Sequence, residues 1–292
     1  MEFRDLLIER LQAKQANLAP EELNALPRGY QTLEDVAILN LKPVIWDKRV
    51  MIAEAVLDMY PYIKSVWGKV FGEAKVVGQF RTPTGLEHLA GIKKSEVRAK
   101  ENGVIFKHDF TQVIFSKGNI TERSYLPKLV QPGEIVLDMF AGIGYFSLMI
   151  AKHASPSHVH SCEINPVSYN YLVENIEIND LGEIVTPYLG DCARIVPELV
   201  KNGLIADRIV MGVFPAPKEY LPVAFQAVNH DTGTVIHYEG KVSDGDTGTL
   251  LSDVQDEAEK TGLVTSVELR ESRLVKNLGI HKQHGVIDVL VR

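Results

Sequence analysis

The second half of this sequence alternates short apolar segments with longer amphipathic ones. Residues 134–139 form an apolar run that leads into a glycine loop, and a predicted helix over 145–153 follows. A strand over 157–163, a helix over 166–179 and further pairs continue the alternation to residue 291. Strands that alternate with helices of about 10–15 residues are typical of a parallel sheet with helices on both faces. The pattern therefore predicts an α/β fold with a doubly wound parallel sheet.

The first part of the chain follows a different pattern. It opens with apolar residues at helical spacing and continues with a strand-like run over 36–41 and a helix over 46–56. After Gly72, glycines and polar residues separate short β-type segments at hairpin-like distances. These predicted strands are residues 75–80, 84–90, 96–100, 104–109 and 112–115. We therefore expect a smaller N-terminal α+β module over 1–127 and the doubly wound domain over 128–292.

Charge is distributed unevenly between these two parts. The 292 residues carry a net charge of −7, but residues 1–130 hold 19 Lys and Arg against 16 Asp and Glu, whereas the rest holds 12 against 22. Residues 93–128 alone include 8 basic side chains and 4 acidic ones. A locally basic module suits a phosphate-bearing partner while the remainder of the chain stays acidic. A solvated charged surface is the alternative explanation.

Composition excludes several classes of protein. With 45% hydrophobic and 24% charged residues, the chain is expected to be globular rather than disordered. No apolar run reaches the roughly 18 residues of a membrane helix, and the acidic N-terminus is not typical of a signal peptide. Cys162 and Cys192 are too few for a disulfide framework, and no His/Cys/Asp spacing predicts a metal site. We expect a cytoplasmic protein with reduced thiols.

The most specific motif is a glycine turn after the first strand of the α/β part. From Asp138 to Tyr145 the sequence has the pattern D-x-F-x-G-x-G, with Phe140, Gly142 and Gly144. Ligands of open α/β sheets bind at the carboxyl ends of strands, and glycine lets the backbone approach them closely. A dinucleotide-dependent dehydrogenase is the competing interpretation, but its G-x-G-x-x-G pattern is incomplete here.

Acidic residues end the next two predicted strands. Glu163, followed by Ile164, lies about 20 residues beyond the glycines, where a carboxylate suits a ribose diol. Asp191, followed by Cys192, suits the exocyclic amine of adenine, and a helix N-cap is its alternative role. The three strand ends resemble those of the class I S-adenosylmethionine-dependent transferases. The resemblance implies a Rossmann-like domain and S-adenosylmethionine as the cofactor.

A closer resemblance extends over most of the chain. Its motifs are Leu26-Pro27-Arg28, residues 78–83, residues 115–123 and Ile236-His237-Tyr238. These segments are similar to archaeal enzymes that modify the guanosine 3′ of the tRNA anticodon. Two related families share them, namely tRNA (guanine-37-N1) methyltransferase and the wybutosine-pathway 3-amino-3-carboxypropyl transferase, which donates the amino-acid arm of the same cofactor. The resemblance implies a tRNA partner that binds through its anticodon region.

Three segments separate these two families. Gly212 stands where the methyltransferase has its catalytic Asn, so this position has no side chain to orient a base edge. Tyr145 stands where the methyltransferase has proline, and residues 116–120 also match the transferase. We therefore expect aminocarboxypropyl transfer to the tricyclic wyosine precursor at guanosine 37 of tRNA(Phe). N1-methylation of the same guanosine is the first alternative, and a non-catalytic S-adenosylmethionine-binding RNA adaptor is another.

The motifs also indicate roles for individual residues. Arg123 and His237 are the expected catalytic residues, Arg123 as a cation for the cofactor carboxylate or the tRNA backbone and His237 in proton transfer. A pair with Glu122 or Glu134 is the alternative for Arg123, and a structural role is the alternative for His237. The expected cofactor-binding residues are Ser116, Arg123, Asp138, Phe140, Gly142, Gly144, Tyr145, Glu163, Ile164, Asp191 and Cys192. The expected substrate-binding residues are Lys93, Lys94, Arg98, Lys117, Phe214 and Lys218.

Overall fold

The chain divides into two compact units in a computed structural model, which describes residues 2–72, 76–115 and 119–292. The N-terminal unit comprises Met1–Ala99 with Lys107–Phe115, and the C-terminal unit comprises Lys100–Phe106 with Ser116–Arg292. The strands Glu96–Glu101 and Val104–Asp109 form a β-hairpin, and its tip, residues 100–106, thus belongs to the C-terminal unit. The boundary that the sequence predicts at residue 127 stays a prediction.

The N-terminal unit contains a four-stranded sheet with helices packed on it. Its strands run in the order β1 (Gln31–Leu33), β2 (Val36–Leu41), β3 (Ser65–Val70) and β6 (Leu86–Gly91), with β2 and β3 parallel and the other pairs antiparallel. The core of this unit includes Leu7, Leu11, Ile52 and Val56, which the helices bury at helical spacing. The elements are α1 (Phe3–Ala13), α2 (Pro20–Ala25), β1 (Gln31–Leu33), β2 (Val36–Leu41), a 3₁₀ helix (Pro43–Lys48), α3 (Arg49–Met59), β3 (Ser65–Val70), β4 (Val76–Val77), β5 (Thr82–Pro83), β6 (Leu86–Gly91), β7 (Glu96–Glu101) and β8 (Val104–Asp109).

One predicted strand of this unit is wrong. Residues 112–115 form no strand, because the Asp109 carboxylate accepts hydrogen bonds from Thr111 and from the side chain of Gln112 and turns the chain there. Strand β3, which was not predicted, occupies the middle of the sheet instead. Lys75, where another strand was predicted to start, lies outside the described residues.

The C-terminal unit alternates strands and helices, as the sequence predicted. Apolar residues of the strands, such as Leu137, Ile209 and Ile236, form the core with residues of the covering helices. The elements are α4 (Ile120–Tyr125), a 3₁₀ helix (Leu126–Lys128), β9 (Ile135–Asp138), α5 (Ser147–His153), β10 (His158–Glu163), α6 (Pro166–Ile178), β11 (Val185–Leu189), α7 (Cys192–Lys201), β12 (Arg208–Met211), a 3₁₀ helix (Lys218–Tyr220), α8 (Leu221–Phe225), β13 (Thr234–Ser243), α9 (Gly248–Thr261), β14 (Val267–Gly279) and β15 (Lys282–Val291).

The seven-stranded sheet of this unit is mixed rather than wholly parallel. Its order is β11-β10-β9-β12-β13-β15-β14, in which the first five strands are parallel. Strand β15 is antiparallel to both of its neighbours. Its pairing with β14 is antiparallel because only Ile280 and His281 connect the two strands in a tight hairpin. The predicted parallel sheet is therefore correct for β9 to β13 and wrong for the last two strands. The chain order reverses between β9 and β12, which is where ligands bind in open α/β sheets.

The hairpin tip is bound to the rest of the C-terminal unit by side chains of two helices. The Asn179 amide, at the end of α6, accepts from the backbone N–H of Ile105 and donates to its carbonyl, both at 2.8 Å. The His153 ring contacts the carbonyl oxygen of Asn102 at 2.9 Å. Ile105 is half-buried, and these two bonds satisfy both of its backbone groups. The hairpin tip is thus held beside α5 and α6.

No helix among residues 2–72, 76–115 and 119–292 has the length and apolar character needed to cross a membrane.

Candidate active site

The glycine loop, residues 139–146, connects β9 to α5. Gly142 and Gly144 have φ values of 59° and 97°, which side-chain-bearing residues rarely adopt. A Cβ on Gly142 is also sterically excluded, because it would lie 2.6 Å from the Tyr145 ring. The Asn175 amide of α6 donates to the Ile143 carbonyl at 3.1 Å and holds the loop in place. The loop therefore presents bare backbone at the carboxyl end of β9.

Asp138 ends β9 and is fully buried. Its carboxylate accepts from the Ser147 hydroxyl at 2.6 Å and from the Phe140 backbone N–H at 3.3 Å. Burial raises its pKa to about 6, despite these hydrogen bonds. Both contacts are to the ends of the glycine loop. Asp138 thus holds the two ends of the loop together.

Glu163 ends β10 and contacts the same loop. Its two carboxylate oxygens accept from the backbone N–H of Gly142 and of Asn165, each at 2.7 Å. Burial raises the pKa of the carboxyl group. Ile164 follows it and is half-buried. A carboxylate has about four acceptor positions, so these two bonds leave capacity for a ligand hydroxyl.

Asp191 and Cys192 lie at the start of α7. Asp191 is the helix N-cap, and its side chain accepts from the Ala193 backbone N–H at 2.9 Å. This is the alternative role that the sequence left open for it. The pKa of Tyr220 is raised, mainly by burial and secondly by the nearby charge of Asp191. The Tyr220 ring also packs edge-on against Phe140, with ring centroids 5.2 Å apart. Burial raises the pKa of Cys192 to about 12, so its thiol stays protonated and is a poor nucleophile.

Arg123 lies on α4 and is only 2% exposed. Its guanidinium makes a bidentate pair with Glu101 of the hairpin tip, with Nε and Nη2 each 2.9 Å from a carboxylate oxygen. This bidentate partner is neither of the two acids that its position in the sequence suggested. The guanidinium also lies over the Tyr145 ring, 5.5 Å from the centroid. Ser116 and Lys117, expected nearby, lie outside the described residues.

The two acids suggested for Arg123 bind other arginines. Glu122 accepts from Arg273 of β14, and Glu134 accepts from the Nε of Arg208 at 2.8 Å. The sequence predicts a strand only over residues 264–270 in this region, so the strand pattern gives no position for Arg273. A signal was available in β15, where Asp288 interrupts the apolar run over 286–291. A charge inside such a run indicates a buried partner.

Six side chains form a buried charge cluster next to the glycine loop. The cluster comprises Glu122, His237, Glu239, Arg273, His284 and Asp288. The Phe146 ring of the glycine loop packs edge-on against His237, with centroids 5.7 Å apart. The cluster is therefore part of the wall of the candidate site.

His237 lies at the centre of this cluster and is completely buried. Its Nδ1 is 3.1 Å from Asp288, and its Nε2 is 3.2 Å from Glu239. Burial disfavours the charged ring, but these two carboxylates outweigh it and raise the pKa to about 10. At neutral pH the ring therefore carries both protons. Such a ring donates hydrogen bonds but does not remove a proton from a substrate.

The loop that follows β12, residues 212–217, packs against both the glycine loop and the cluster. A Cβ at Gly212 would lie 2.5 Å from Cε2 of Phe146, so the ring occupies the space of a side chain at this position. Phe214 packs edge-on against His284, with ring centroids 4.5 Å apart. Lys218, just beyond the loop, pairs with Asp253 and Asp256 of α9. Aromatic rings thus pack around this loop, and the charge of Lys218 just beyond it is matched by two carboxylates.

The basic residues predicted to bind substrate differ in their surroundings within the N-terminal unit. Lys94 pairs with Glu34 at 2.9 Å and Asp35 at 2.6 Å, so its charge is matched locally. Lys93 and Arg98 are exposed. Among the residues that the structure describes, no group of His, Cys, Asp and Glu side chains is arranged to hold a metal ion.

These strand ends, the glycine loop and the mixed sheet define a Rossmann-like transferase domain. The family model described as "TRM5/TYW2 methyltransferase domain" matches residues 97–262, and the model described as "TYW2 N-terminal domain" matches residues 11–94. The chain belongs to the TRM5/TYW2 family. The resemblance to this superfamily and the S-adenosylmethionine-dependent transferase class that the sequence predicted are confirmed.

Some relatives of this chain are named as methyltransferases and others as aminocarboxypropyltransferases. The tRNA (guanine(37)-N(1))-methyltransferase Trm5b of Pyrococcus abyssi is 34% identical over 93% of this chain and 78% of its own length. The tRNA(Phe) (4-demethylwyosine(37)-C(7)) aminocarboxypropyltransferase of Methanocaldococcus jannaschii is 39% identical over 58% of this chain, which spans 64% of that protein. The tRNA 4-demethylwyosine(37)-methyltransferase Taw21 of Saccharolobus solfataricus is 31% identical over 97% of this chain and 98% of its own length.

A solved structure matches both units of the chain. The P. horikoshii TYW2 structure in complex with MeSAdo is 26% identical, has a TM-score of 0.79 and covers 98% of each chain. The fold class predicted from the sequence is therefore confirmed, with the correction to β14 and β15 given above.

The charge cluster predicts a dependence of stability on pH. The pKa of His237 is raised from 6.5 to about 10, so its contribution is complete below pH 6.5 and is lost as the pH rises through 10. The pKa values of Glu239 and Asp288 are lowered from 4.5 and 3.8 to about 2, so their contribution is lost only as the pH falls through 2. We expect His237→Gln to lower the free energy of unfolding at pH 6.5 by about 3–5 kcal/mol.

Urea denaturation at pH 6.5 and 9.5 measures this effect. The difference between wild type and His237→Gln should shrink at the higher pH, because above pH 6.5 the unfolded ring is neutral and folding must take up a proton. His230→Gln, at an exposed histidine, is the matched control and should behave as wild type at both values. Equal losses for His237→Gln at both pH values would show that the ring is not charged in the folded protein.

Proposed function

We propose that this chain transfers the 3-amino-3-carboxypropyl group of S-adenosylmethionine to 4-demethylwyosine at position 37 of tRNA(Phe). The observation that carries the proposal is the packing of Phe146 against Gly212, where a Cβ would lie 2.5 Å from the ring. A side chain at this position, such as the amide that the N1-methyltransferase uses, would therefore require the Phe146 ring to move. The M. jannaschii relative, whose name gives this activity, supports the same choice.

S-adenosylmethionine fits the residues at the ends of β9 and β10. The loop at Gly142 presents backbone without a side chain, and Glu163 is already oriented by the N–H groups of Gly142 and Asn165. We propose that Glu163 accepts from the ribose hydroxyls and that Asp191, Phe140 and the glycine loop surround the adenosine. The donor supplies a sulfonium that makes each attached carbon electrophilic. The chain's own residues decide which carbon faces the base.

Arg123 and Tyr145 are the residues that we propose for this choice. They form a wall in which the guanidinium lies over the ring and is fixed by Glu101. Glu101 already compensates the charge of the guanidinium, so we propose that Arg123 fixes the direction of the amino-acid arm through the Tyr145 ring that it holds in place. Orientation is what the reaction requires, because reacting atoms must approach within about 3–3.5 Å in line. Catalysis is thus mainly positioning.

N1-methylation of guanosine 37 is the second candidate. It is favoured by the Trm5b relative, of which this chain spans 78% at 34% identity. The two reactions differ in the carbon that is transferred and in the product that is released. A labelled donor therefore distinguishes them directly.

The decisive experiment supplies S-adenosylmethionine labelled in either the carboxyl or the methyl group. With tRNA that bears 4-demethylwyosine, the carboxyl label should enter the RNA and methylthioadenosine should be released. Scintillation counting of the RNA and chromatography of the nucleoside products measure this. Methyl label in tRNA with unmodified guanosine 37, with release of S-adenosylhomocysteine, would refute the proposal and establish the second candidate.

Cofactor binding depends on Glu163 in this proposal. We expect Glu163→Ala to weaken S-adenosylmethionine binding by about 1.5–3 kcal/mol, the usual contribution of hydrogen bonds to a charged group. Titration calorimetry measures the change, which corresponds to about 10–100-fold in Kd. Glu177→Ala removes an exposed acid from the neighbouring helix and should bind as wild type. Unchanged affinity in a folded Glu163→Ala protein would show that another group binds the ribose.

We propose that the exposed basic residues of the N-terminal unit bind the phosphates of tRNA. Lys93 and Arg98 are the best placed, because both are exposed, whereas Lys94 is already paired with two carboxylates. Phosphate contacts release counterions, so their number sets the salt dependence of binding. The two buried thiols agree with action in the cytoplasm, where cysteines stay reduced.

Neutralising Lys93 and Arg98 together should weaken tRNA binding and flatten its salt dependence. The slope of log K against log salt should fall by about 0.9 for each duplex phosphate that the protein no longer neutralises. Filter binding at several salt concentrations measures the slope, and S-adenosylmethionine affinity should not change. Lys201→Gln, at an exposed lysine paired with Glu198, is the control. A wild-type slope in the double variant would locate the RNA surface elsewhere.

A further inference from the structure

His284 differs from the other members of the buried charge cluster. It is completely buried, and its Nε2 is 3.1 Å from Oε2 of Glu239. Its Nδ1 is also buried but has no hydrogen-bond partner, one of the few such side-chain atoms among the residues that the structure describes. A buried polar atom without a partner costs free energy, so its retention calls for an explanation, of which a catalytic role is one.

The surroundings of His284 connect it to the substrate pocket. Its ring packs edge-on against Phe214 of the loop after β12, with centroids 4.5 Å apart. The same loop carries Gly212 at the position where the related methyltransferase has its base-orienting Asn. Phe146 of the glycine loop contacts both Gly212 and His237. His284 therefore packs directly against the loop on which the target base is expected to bind.

The contact with Glu239 determines which nitrogen of His284 carries the proton. Glu239 has its pKa lowered to about 2 by hydrogen bonds from His237 and His284, so it is a carboxylate and has no proton to donate. The shared hydrogen bond must therefore be donated by Nε2–H of His284. In the neutral ring, Nδ1 is then an acceptor with a free lone pair.

The other ionisable groups of the cluster are already occupied. Glu122 and Asp288 both accept from Arg273, and Glu239 lies between two imidazoles. His237 carries both of its protons at neutral pH, as its raised pKa shows. Of the six side chains, His284 is the one that combines a free lone pair with a carboxylate behind it. This is the arrangement of a general base that is oriented by a carboxylate.

We propose that His284 is the base that removes the proton from the target carbon of the nucleobase, with Glu239 orienting its ring. The inference rests on the proposed function, in which a ring carbon of the base is the nucleophile. As the new carbon–carbon bond forms, the carbon–sulfur bond breaks and its electron pair remains on the sulfur of methylthioadenosine. The hydrogen on the attacked ring carbon then leaves as a proton to Nδ1 of His284, and its bonding pair restores the aromatic ring. The imidazolium that results is stabilised by Glu239.

The first test separates the two nitrogens of His284. A Gln side chain places its polar end near the position of Nε2, so His284→Gln retains a partner for Glu239 but has no atom at Nδ1. We expect the single-turnover rate on tRNA bearing 4-demethylwyosine to fall by about 100-fold or more, the usual scale of general-base catalysis. Affinities for S-adenosylmethionine and tRNA, and the Tm, should stay close to wild type. His281→Gln, at an exposed histidine in the same hairpin, should react at the wild-type rate.

A second test uses His284→Ala and added imidazole. Removal of the ring leaves a cavity beside Phe214, and imidazole should restore part of the rate in proportion to its concentration. No restoration, or a His284→Gln variant with the wild-type rate, would overturn the proposal. A loss confined to tRNA affinity would also overturn it, because it would make His284 a binding contact only. A wild-type enzyme that transfers no carboxyl label would refute the proposed function itself, and this inference with it.

A third measurement does not depend on activity. In ¹⁵N-histidine-labelled wild-type protein, the resonances of the neutral His284 ring should show a proton on Nε2 and none on Nδ1. His284→Gln provides the assignment by loss of these signals. A proton on Nδ1 of the neutral ring would contradict the inference whatever the rate measurements give.

Discussion

The structure of the candidate site depends on the pairing of Arg273 with two buried carboxylates. Arg273 binds Glu122 of α4 and Asp288 of β15, which are only 2% and 3% exposed. Burying such charges costs several kcal/mol each unless every one of them is paired, so loss of one partner leaves the others unsatisfied. Through this guanidinium, α4 is fixed to the antiparallel end of the sheet. Arg123 follows Glu122 on α4, and its position is therefore set by the same contact.

The cluster also supports the aromatic residues of the site. Phe146 packs against His237 and Phe214 packs against His284, while both histidines are held by Glu239. The two loops that are expected to bind donor and base thus pack against one rigid polar layer. A site whose chemistry is mainly positioning requires such support, because displacement by about 1 Å at the reacting atoms lowers the rate strongly.

The sequence predicts the parallel strands well because each is an apolar run that ends at a recognisable acid or glycine. It also located the glycine loop and the acids Glu163 and Asp191 at the ends of these strands. It did not predict that Arg123 pairs with Glu101, 22 residues away on the hairpin tip, because Glu122 and Glu134 are nearer along the chain. It also ended β14 too early, since residues 271–279 are mostly charged or polar and are held as a strand by their pairing with β15. Contacts that depend on tertiary structure leave no periodic signal.

Relatives of this chain are named for two different transfers, one of a methyl group and one of an aminocarboxypropyl group. Gly212 has no side chain, and its neighbour Phe146 fills the space where one would lie. A substitution at position 212 alone cannot place an amide toward the base unless the ring moves, and the ring is held by His237. Because contacts in one packed group are not independent, the effect of a substitution at position 212 depends on the Phe146 ring and on the charge cluster that holds this ring. The identity of residue 212 is therefore informative about function only when the packing around it is known.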